Sequence, residues 1–177
     1  MKNQLRIKRI LRIIMDYITE IQRKIFLSKE NFAVLLKTWK NENKKIVFTN
    51  GCFDILHRGH ADYLAKAASL GDVLLIGLNT DQSVRRLKGN SRPIIDEYSR
   101  AFLLSSMLFV DAVILFDEDT PLNLIEFIQP DVLVKGSDYQ EENIVGANTV
   151  KAKNGNIITI DLVPEFSTTS ILNRIIE

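Results

Sequence analysis

From residue 45 onward the chain carries short, nearly unbroken apolar runs at 46–49, 73–78, 112–116, 132–134 and 157–160. Runs of this length, rich in Val, Ile and Leu and lacking alternate polar positions, predict parallel strands buried on both faces. Between them apolar residues recur at three and four, which predicts helices over 59–69, 81–87, 98–107, 121–128 and 145–153, with a last helix at 168–176. Thr120-Pro121 reads as a cap followed by Pro at the first helical position. Strand and helix therefore alternate, and the expected fold is α/β, a doubly wound parallel five-stranded sheet whose ligands bind beyond the carboxyl ends of its strands.

The first 44 residues follow a different pattern. Ile7, Ile10, Leu11, Ile14, Ile18, Ile21 and Ile25 form an apolar stripe at helical spacing, and the opposite face is mostly Lys, Arg and Gln. Ser28 is placed to cap a second helix, over 28–36. The division expected is a helical extension over 1–44 and a catalytic-sized domain over 45–177. A stripe that long is expected to be covered by a second copy, giving a homodimer, or by a partner protein; a membrane surface is the second choice. No apolar run approaches the ~20 residues that span a bilayer. Lys8, Arg9 and Arg12 interrupt the N-terminal apolar positions and no small-residue cleavage site follows, so export is not expected.

Composition changes this picture in two places. The net charge of +1 conceals an asymmetry, because residues 1–45 hold 12 Lys and Arg against 4 Asp and Glu while the rest of the chain is net acidic. A nucleic-acid binder would carry its basic surface on the folded domain, so no nucleic-acid partner is expected. A single cysteine, Cys52, excludes an internal disulfide and fits a cytoplasmic location, with the small side chain suiting a tight turn.

The candidate chemistry lies directly after the first predicted strand, in Gly51-Cys52-Phe53-Asp54-Ile55-Leu56-His57-Arg58-Gly59-His60, which holds both histidines of the protein. A strand that stops at Gly and passes into a helix aims unpaired helix N-terminal amides at an anion. Histidines at i and i+3 share a face there, and Gly59 lets an anion approach the backbone. A bound polyphosphate is expected to raise the imidazole pKa from about 6.5, giving cationic donors. One Cys and two His cannot close a zinc site without carboxylates, and no P-loop or G-x-G-x-x-G string occurs.

Other polar clusters follow the later strands. Asn79 and Asp81 either cap the next helix or approach a ligand, and Arg85 to Pro93 is either a phosphate clamp or solvated surface. The Lys135-Gly136-Ser137-Asp138-Tyr139 segment can stack a base, hold a sugar hydroxyl, or simply turn. Ser167, Thr168, Thr169 and Ser170 put four hydroxyls at the start of the last helix, where one suffices as a cap.

The string G-x-F-D-x-x-H-x-G-H resembles the nucleotidyltransferase superfamily with the H-x-G-H signature. From about Ser28 to the C-terminus the match narrows. The segments 47–57, 77–89 with Arg92-Pro93, 116–121, 131–136, 144–147 and 162–170 are similar to the D-glycero-β-D-manno-heptose 1-phosphate adenylyltransferases, the second domain of bacterial ADP-heptose synthases. The resemblance implies transfer of AMP from ATP to heptose 1-phosphate for lipopolysaccharide core precursors, with Mg²⁺ accompanying the ATP and no metal ligands defined. It implies catalytic roles for His57, His60 and Lys88. Nucleotide contacts would come from Thr49, Asn50, Gly51, Cys52, Phe53, Gly59, Asn79, Ser167, Thr168 and Thr169, and sugar-phosphate contacts from Asp54, Arg92, Lys135 and Asp138. Cytidylyltransferases acting on glycerol 3-phosphate or a similar polyol phosphate share most of these motifs and form the alternative. The chain departs from the family at Glu165 and Ser137, where Gly is usual, and no sugar-kinase domain precedes the transferase, so a separate kinase chain is expected.

Overall fold

The computed structural model describes residues 16–164 and 166–176. Residues 16–23 are helical (α1), and the chain continues through β1 (Ile25–Phe26), α2 (Lys29–Asn41), β2 (Ile46–Gly51), α3 (Arg58–Ala68), β3 (Val73–Asn79) and α4 (Asp81–Lys88). Then come α5 (Glu97–Ser105), β4 (Ala112–Phe116), α6 (Leu122–Ile128), β5 (Val132–Gly136), a 3₁₀ turn (Glu141–Asn143), α7 (Ala147–Lys151), β6 (Asn156–Ile160) and α8 (Thr168–Ile176).

All strand pairs are parallel, in the order β1-β4-β3-β2-β5-β6. The sheet thus has six strands where five were expected. The extra one is β1, which pairs Ile25 with Val113 and Phe26 with Ile114. A two-residue strand carries no periodicity of its own, and Ile25 falls four residues after Ile21, so it reads as one more position of the helical stripe. Of that stripe, Ile7, Ile10, Leu11 and Ile14 lie outside the described residues.

Both faces of the sheet are covered, which explains the unbroken apolar runs. Ile46, Phe48, Leu75, Ile114 and Leu133 point into one core with Phe32, Leu36 and Trp39 of α2 and Leu124, Ile125 and Ile128 of α6. Val47, Leu74, Ile76, Val113 and Val132 point into the other with Leu64 of α3 and Leu104 of α5. Residues 25–41, placed in the extension by sequence, therefore supply a strand and a helix to the same packed unit. Ser28 caps α2 by accepting from the Asn31 amide.

Parallel register is set at the amino ends by three aspartates. Asp72 accepts from the Lys45 amide, Asp131 from that of Ile46 and Asp111 from that of Leu74, each at 2.7 Å. A carboxylate taking an otherwise unpaired strand-start amide of the neighbouring strand satisfies a donor that would be costly to leave alone. At the opposite ends, the chain leaves β2 outward through β3 and β4 and returns on the other side to β5. That reversal makes a crevice above β2 and β5.

One expected helix start is corrected. α6 begins at Leu122, with Pro121 in the cap position and no side-chain cap bond, so Thr120 does not cap it. Thr120 belongs instead to a loop held from α4, where Arg86 Nε donates to Asp119 at 2.8 Å and Ser83 Oγ donates to the Glu118 carbonyl.

Candidate active site

β2 ends in Asn50 and Gly51, and the next residues turn sharply: Phe53 and Ile55 both have positive φ, at 45° and 51°. A β-branched residue in that region is strained by about 1 to 3 kcal/mol, so the turn must be held from outside. The holding groups are visible. The buried Asp54 carboxylate accepts from Arg92 Nε at 2.7 Å and from the amides of Ile94 and Ile95 at 3.0 and 3.1 Å. Thr168 Oγ1, from the first turn of α8, donates to the Asp54 carbonyl at 2.7 Å. Arg100, with no exposed surface, donates to the carbonyls of Cys52 and Ile95 and to Asp81 Oδ1.

The two histidines follow this turn. His57 is the cap of α3, with Nδ1 accepting from the His60 amide at 3.4 Å, and the two imidazoles stack with centroids 3.9 Å apart. An accepting Nδ1 leaves Nε2–H of neutral His57 as its donor. Phe53 meets the His60 ring edge-on at 5.3 Å. A Cβ at Gly59 would lie 3.0 Å from the His57 ring and from Phe166 Cβ, so the absent side chain here is what lets the segment leading into α8 approach α3. Burial lowers the pKa of His57. His60 is lowered to about 4 by burial first, then by repulsion from His57 and Lys88, so in the ligand-free protein the pair is neutral near pH 7.

A two-lobed cleft opens over this corner. The first lobe, about 290 Å³, is bounded by His57, Gly59, His60, Phe53, Tyr63, Asp138, Leu162, Val163, Phe166, Ser167 and Thr168. The second, about 420 Å³, is bounded by Asn79, Leu87, Asp119, Thr120, Pro121, Asn143 and Val145. Asn50, Gly51, Cys52, Lys88, Lys135 and Tyr139 border both. Lys135 is largely buried, donates to Asn50 Oδ1, and holds its ammonium 5.5 Å from the Tyr139 ring centroid. Burial lowers its pKa to about 8, with Asp138 opposing. Burial raises the pKa of the Cys52 thiol, against the pull of Lys88 and Arg100.

Most of the expected site residues meet here, with several in unexpected roles. Asn50, Gly51, Cys52, Phe53, His57, Gly59, His60, Lys88, Lys135, Asp138, Ser167 and Thr168 border the cleft, and Asn79 borders only its second lobe. Thr49 is buried beneath it, hydrogen-bonded to the Tyr63 hydroxyl at 2.8 Å, while Thr169 and Arg92 do not border either lobe. Asp54 borders the first lobe, but its carboxylate is occupied by Arg92 and two amides; burial pushes its pKa up and these donors bring it below the ordinary value. The α4 cap is Thr80 rather than Asn79 or Asp81, since Thr80 Oγ1 accepts from the Ser83 amide while Asn79 donates to Ser83 Oγ and Asp81 pairs with Arg100. Ser167 caps α8 by accepting from the Ser170 amide. Glu165 lies outside the described residues.

Sequence reasoning passed over Arg100, Tyr63 and Phe166, while Tyr139 is the aromatic of the loop read as able to stack a base. Arg100 had a signal: it stands with Ala101 and Leu104 on the buried face of α5, where a charge requires a partner.

Among the described residues no helix is long and apolar enough to cross a membrane. No group of three or more His, Cys, Asp or Glu there could hold a metal ion. Residues 48–174 match the cytidylyltransferase-like family. "Bifunctional protein HldE" of Campylobacter jejuni subsp. jejuni serotype O:2 is 55% identical over 148 residues, covering 84% of this chain and 31% of that protein. The HldE of Syntrophotalea carbinolica is 50% identical over 149 residues, with 84% and 30% covered. The chain thus spans less than a third of the length of these relatives. Among solved structures, the lipopolysaccharide core biosynthesis protein of Thermoplasma volcanium GSS1 superposes with a TM-score of 0.56 at 29% identity, covering 68% of this chain and 97% of that one. A pantoate-β-alanine ligase of Francisella tularensis superposes with a TM-score of 0.55 at 17% identity, over 85% of this chain and 77% of that one, a likeness of fold alone.

Proposed function

The chain belongs to the cytidylyltransferase-like family, and from that premise we propose that it transfers AMP from ATP to a heptose 1-phosphate, releasing pyrophosphate and forming an ADP-heptose. The observation that carries the reading is the stacked His57–His60 pair at the start of α3, bordering a cleft with Lys88 and the hydroxyl-bearing start of α8. The heptose half of the reading is supported by the sequence strings shared with heptose 1-phosphate adenylyltransferases, by the HldE relatives, and by the lipopolysaccharide core protein among the solved structures.

The two lobes suit two ligands. The first, walled by Phe53, Tyr63, Leu162, Val163 and Phe166, takes the nucleotide, with its phosphates toward His57, His60 and the α8 N-terminus. The second, walled by Asn79, Asp119, Thr120 and Asn143, offers the polar groups that a sugar requires. A sugar-phosphate oxygen forms a bond to the α-phosphorus as the bond from that phosphorus to the pyrophosphate oxygen breaks. The attacking phosphomonoester has a second pKa near 6, so at neutral pH it is already largely a dianion and requires no general base. The protein's task is to place two anions and offset the charge that develops on the leaving group.

Mg²⁺ fits this cleft as a companion of the triphosphate rather than as an ion caged by side chains, because among the described residues Asp54 is committed to Arg92 and Asp119 to Arg86, leaving Asp138 as the carboxylate without an ion pair at the first lobe. When bound with ATP, it would neutralise charge on the departing pyrophosphate. Exposed Ile18, a stripe position on α1, supports self-association through the N-terminal stripe.

The test is pyrophosphate release with ATP, CTP or GTP against heptose 1-phosphate or glycerol 3-phosphate. ATP with the heptose phosphate should turn over fastest; faster turnover of CTP with glycerol 3-phosphate would replace this reading with the polyol cytidylyltransferase one.

A further inference from the structure

β2 and β5 are neighbouring parallel strands whose register pairs Val47 with Val132 and Phe48 with Leu133. Two residues further along, the same register sets Asn50 beside Lys135 at the carboxyl ends, above the crevice. The Lys135 side chain lies between the two lobes, its ammonium held by Asn50 Oδ1 and by the face of Tyr139. Desolvating an ammonium is costly, and this one is kept at the junction where two anionic ligands must meet. Lys88 borders both lobes as well, but from the exposed end of α4.

Resting on the transferase reading above, we propose that Lys135, positioned by Asn50, is a catalytic residue that bridges the lobes, contacting the acceptor phosphate and the α-phosphate of the nucleotide together. As the new oxygen–phosphorus bond forms and the bond to pyrophosphate breaks, the ammonium keeps its proton and offsets the repulsion between the dianion and the phosphate it attacks. This role differs from holding the sugar phosphate alone, because it acts on the step that joins the two ligands and so weighs on kcat.

The geometry also gives the site an alkaline limb. Free Lys135 is charged below about pH 8 and loses its proton as pH rises through that value. The titratable groups lining the same lobe are Asp138 and Tyr139 of its own loop, Cys52, Asp54 and His57 after β2, His60 and Tyr63 of α3, and Lys88 of α4. Burial pushes Cys52 and Tyr63 upward and His60 down to about 4.

The experiment uses the full chain with ATP, Mg²⁺ and heptose 1-phosphate, following pyrophosphate from about pH 6 to about pH 10. K135A should lower kcat by about 100-fold or more while the KM for ATP stays within about threefold. K135R, whose guanidinium stays charged, should recover roughly tenfold of that loss and lack the wild-type fall in kcat/KM above about pH 8. K135M, similar in length and uncharged, is the folding control: a lost kcat with unchanged melting temperature and unchanged calorimetric affinity for a non-hydrolysable ATP analogue supports the role. Loss of nucleotide affinity alongside kcat overturns it, as does a K135A enzyme with wild-type kcat and a raised KM for ATP, or a K135R enzyme that keeps the alkaline limb. If the wild-type protein releases no pyrophosphate with any nucleotide and acceptor, the transferase reading itself falls and Lys135 loses its assigned role with it.

Discussion

Replacing Arg100 by Met tests whether the phosphate-facing turn is held from beneath by one buried cation. Arg100 has no exposed surface and donates to the Cys52 carbonyl, the Ile95 carbonyl and Asp81 Oδ1. Met fills much of the volume, so the main loss is polar. Hydrogen bonds from a charged group contribute about 1.5 to 3 kcal/mol each, but they are not additive. The larger effect is the Asp81 carboxylate left beside a thioether, its side chain only 20% exposed. Breaking such a pair from one side costs about 3 to 5 kcal/mol. For a chain of this size each kcal/mol lowers the melting temperature by about 2 to 4 °C, so the expected fall is roughly 6 to 20 °C. Thermal and urea unfolding followed by far-ultraviolet circular dichroism would measure it. Adding Asp81→Asn to R100M should recover part of the loss by removing the stranded charge. A single R100M variant within about 1 kcal/mol of the wild type would refute the brace.

Replacing His57 or His60 by Ala should lower kcat by on the order of 10² to 10³, about 3 to 4 kcal/mol in the barrier, with at most the roughly 0.5 to 2 kcal/mol of stability that a lost cap costs in the His57 variant; a fully active double variant would remove the basis of the transferase reading. His60 makes the fold acid-sensitive. Its native pKa of about 4 lies below its unfolded value of about 6.5, so the unfolded chain binds the extra proton between them, and stability complete above about pH 6.5 declines toward pH 4 by about 3 kcal/mol. Urea titrations across that range should show this slope in the wild type and a shallower one in His60→Asn. Removing residues 1–23, which leaves β1 in place, should lower the mass measured in solution from that of a dimer to that of a monomer; an unchanged mass would separate the N-terminal stripe from self-association.

Legibility in the sequence followed the range of the interaction. β4 was placed residue for residue because an apolar run flanked by Asp111 and Asp117 admits one reading. The other four expected strands were found with ends shifted by one or two residues, since a strand's last pairs depend on its neighbour and not on its own composition. β1 escaped because its two residues are made a strand by the exposed edge of β4. At the site, the histidines and, of the hydroxyl cluster, Ser167 and Thr168 were readable, standing at the cleft where local motifs put them. Asp54 was not: its acceptors' work is set by amides forty residues away, and a carboxylate beside a phosphate loop looks the same in sequence whether it faces a ligand or a neighbouring loop. Arg100 shows by its spacing that it is buried, but its partners, the Cys52 carbonyl and Asp81, lie across crossovers that no spacing reveals.

The short strand β1 has a further consequence, in colloidal behaviour. It pairs with the outer edge of β4, an uncharged Ala-Val-Ile-Leu-Phe ladder whose open amides and carbonyls would otherwise invite another chain. A shortened protein that starts at residue 45, where strand and helix begin to alternate in the sequence, would keep every histidine, lysine and hydroxyl of the cleft but uncover this ladder and the apolar bed of Phe32 and Trp39. It should clump with rising concentration, and light scattering should detect that before any assay registers damage to the chemistry. Residues 25–41 thus act as the molecule's guard against its own stickiness, and shortening it safely means cutting before Ile25.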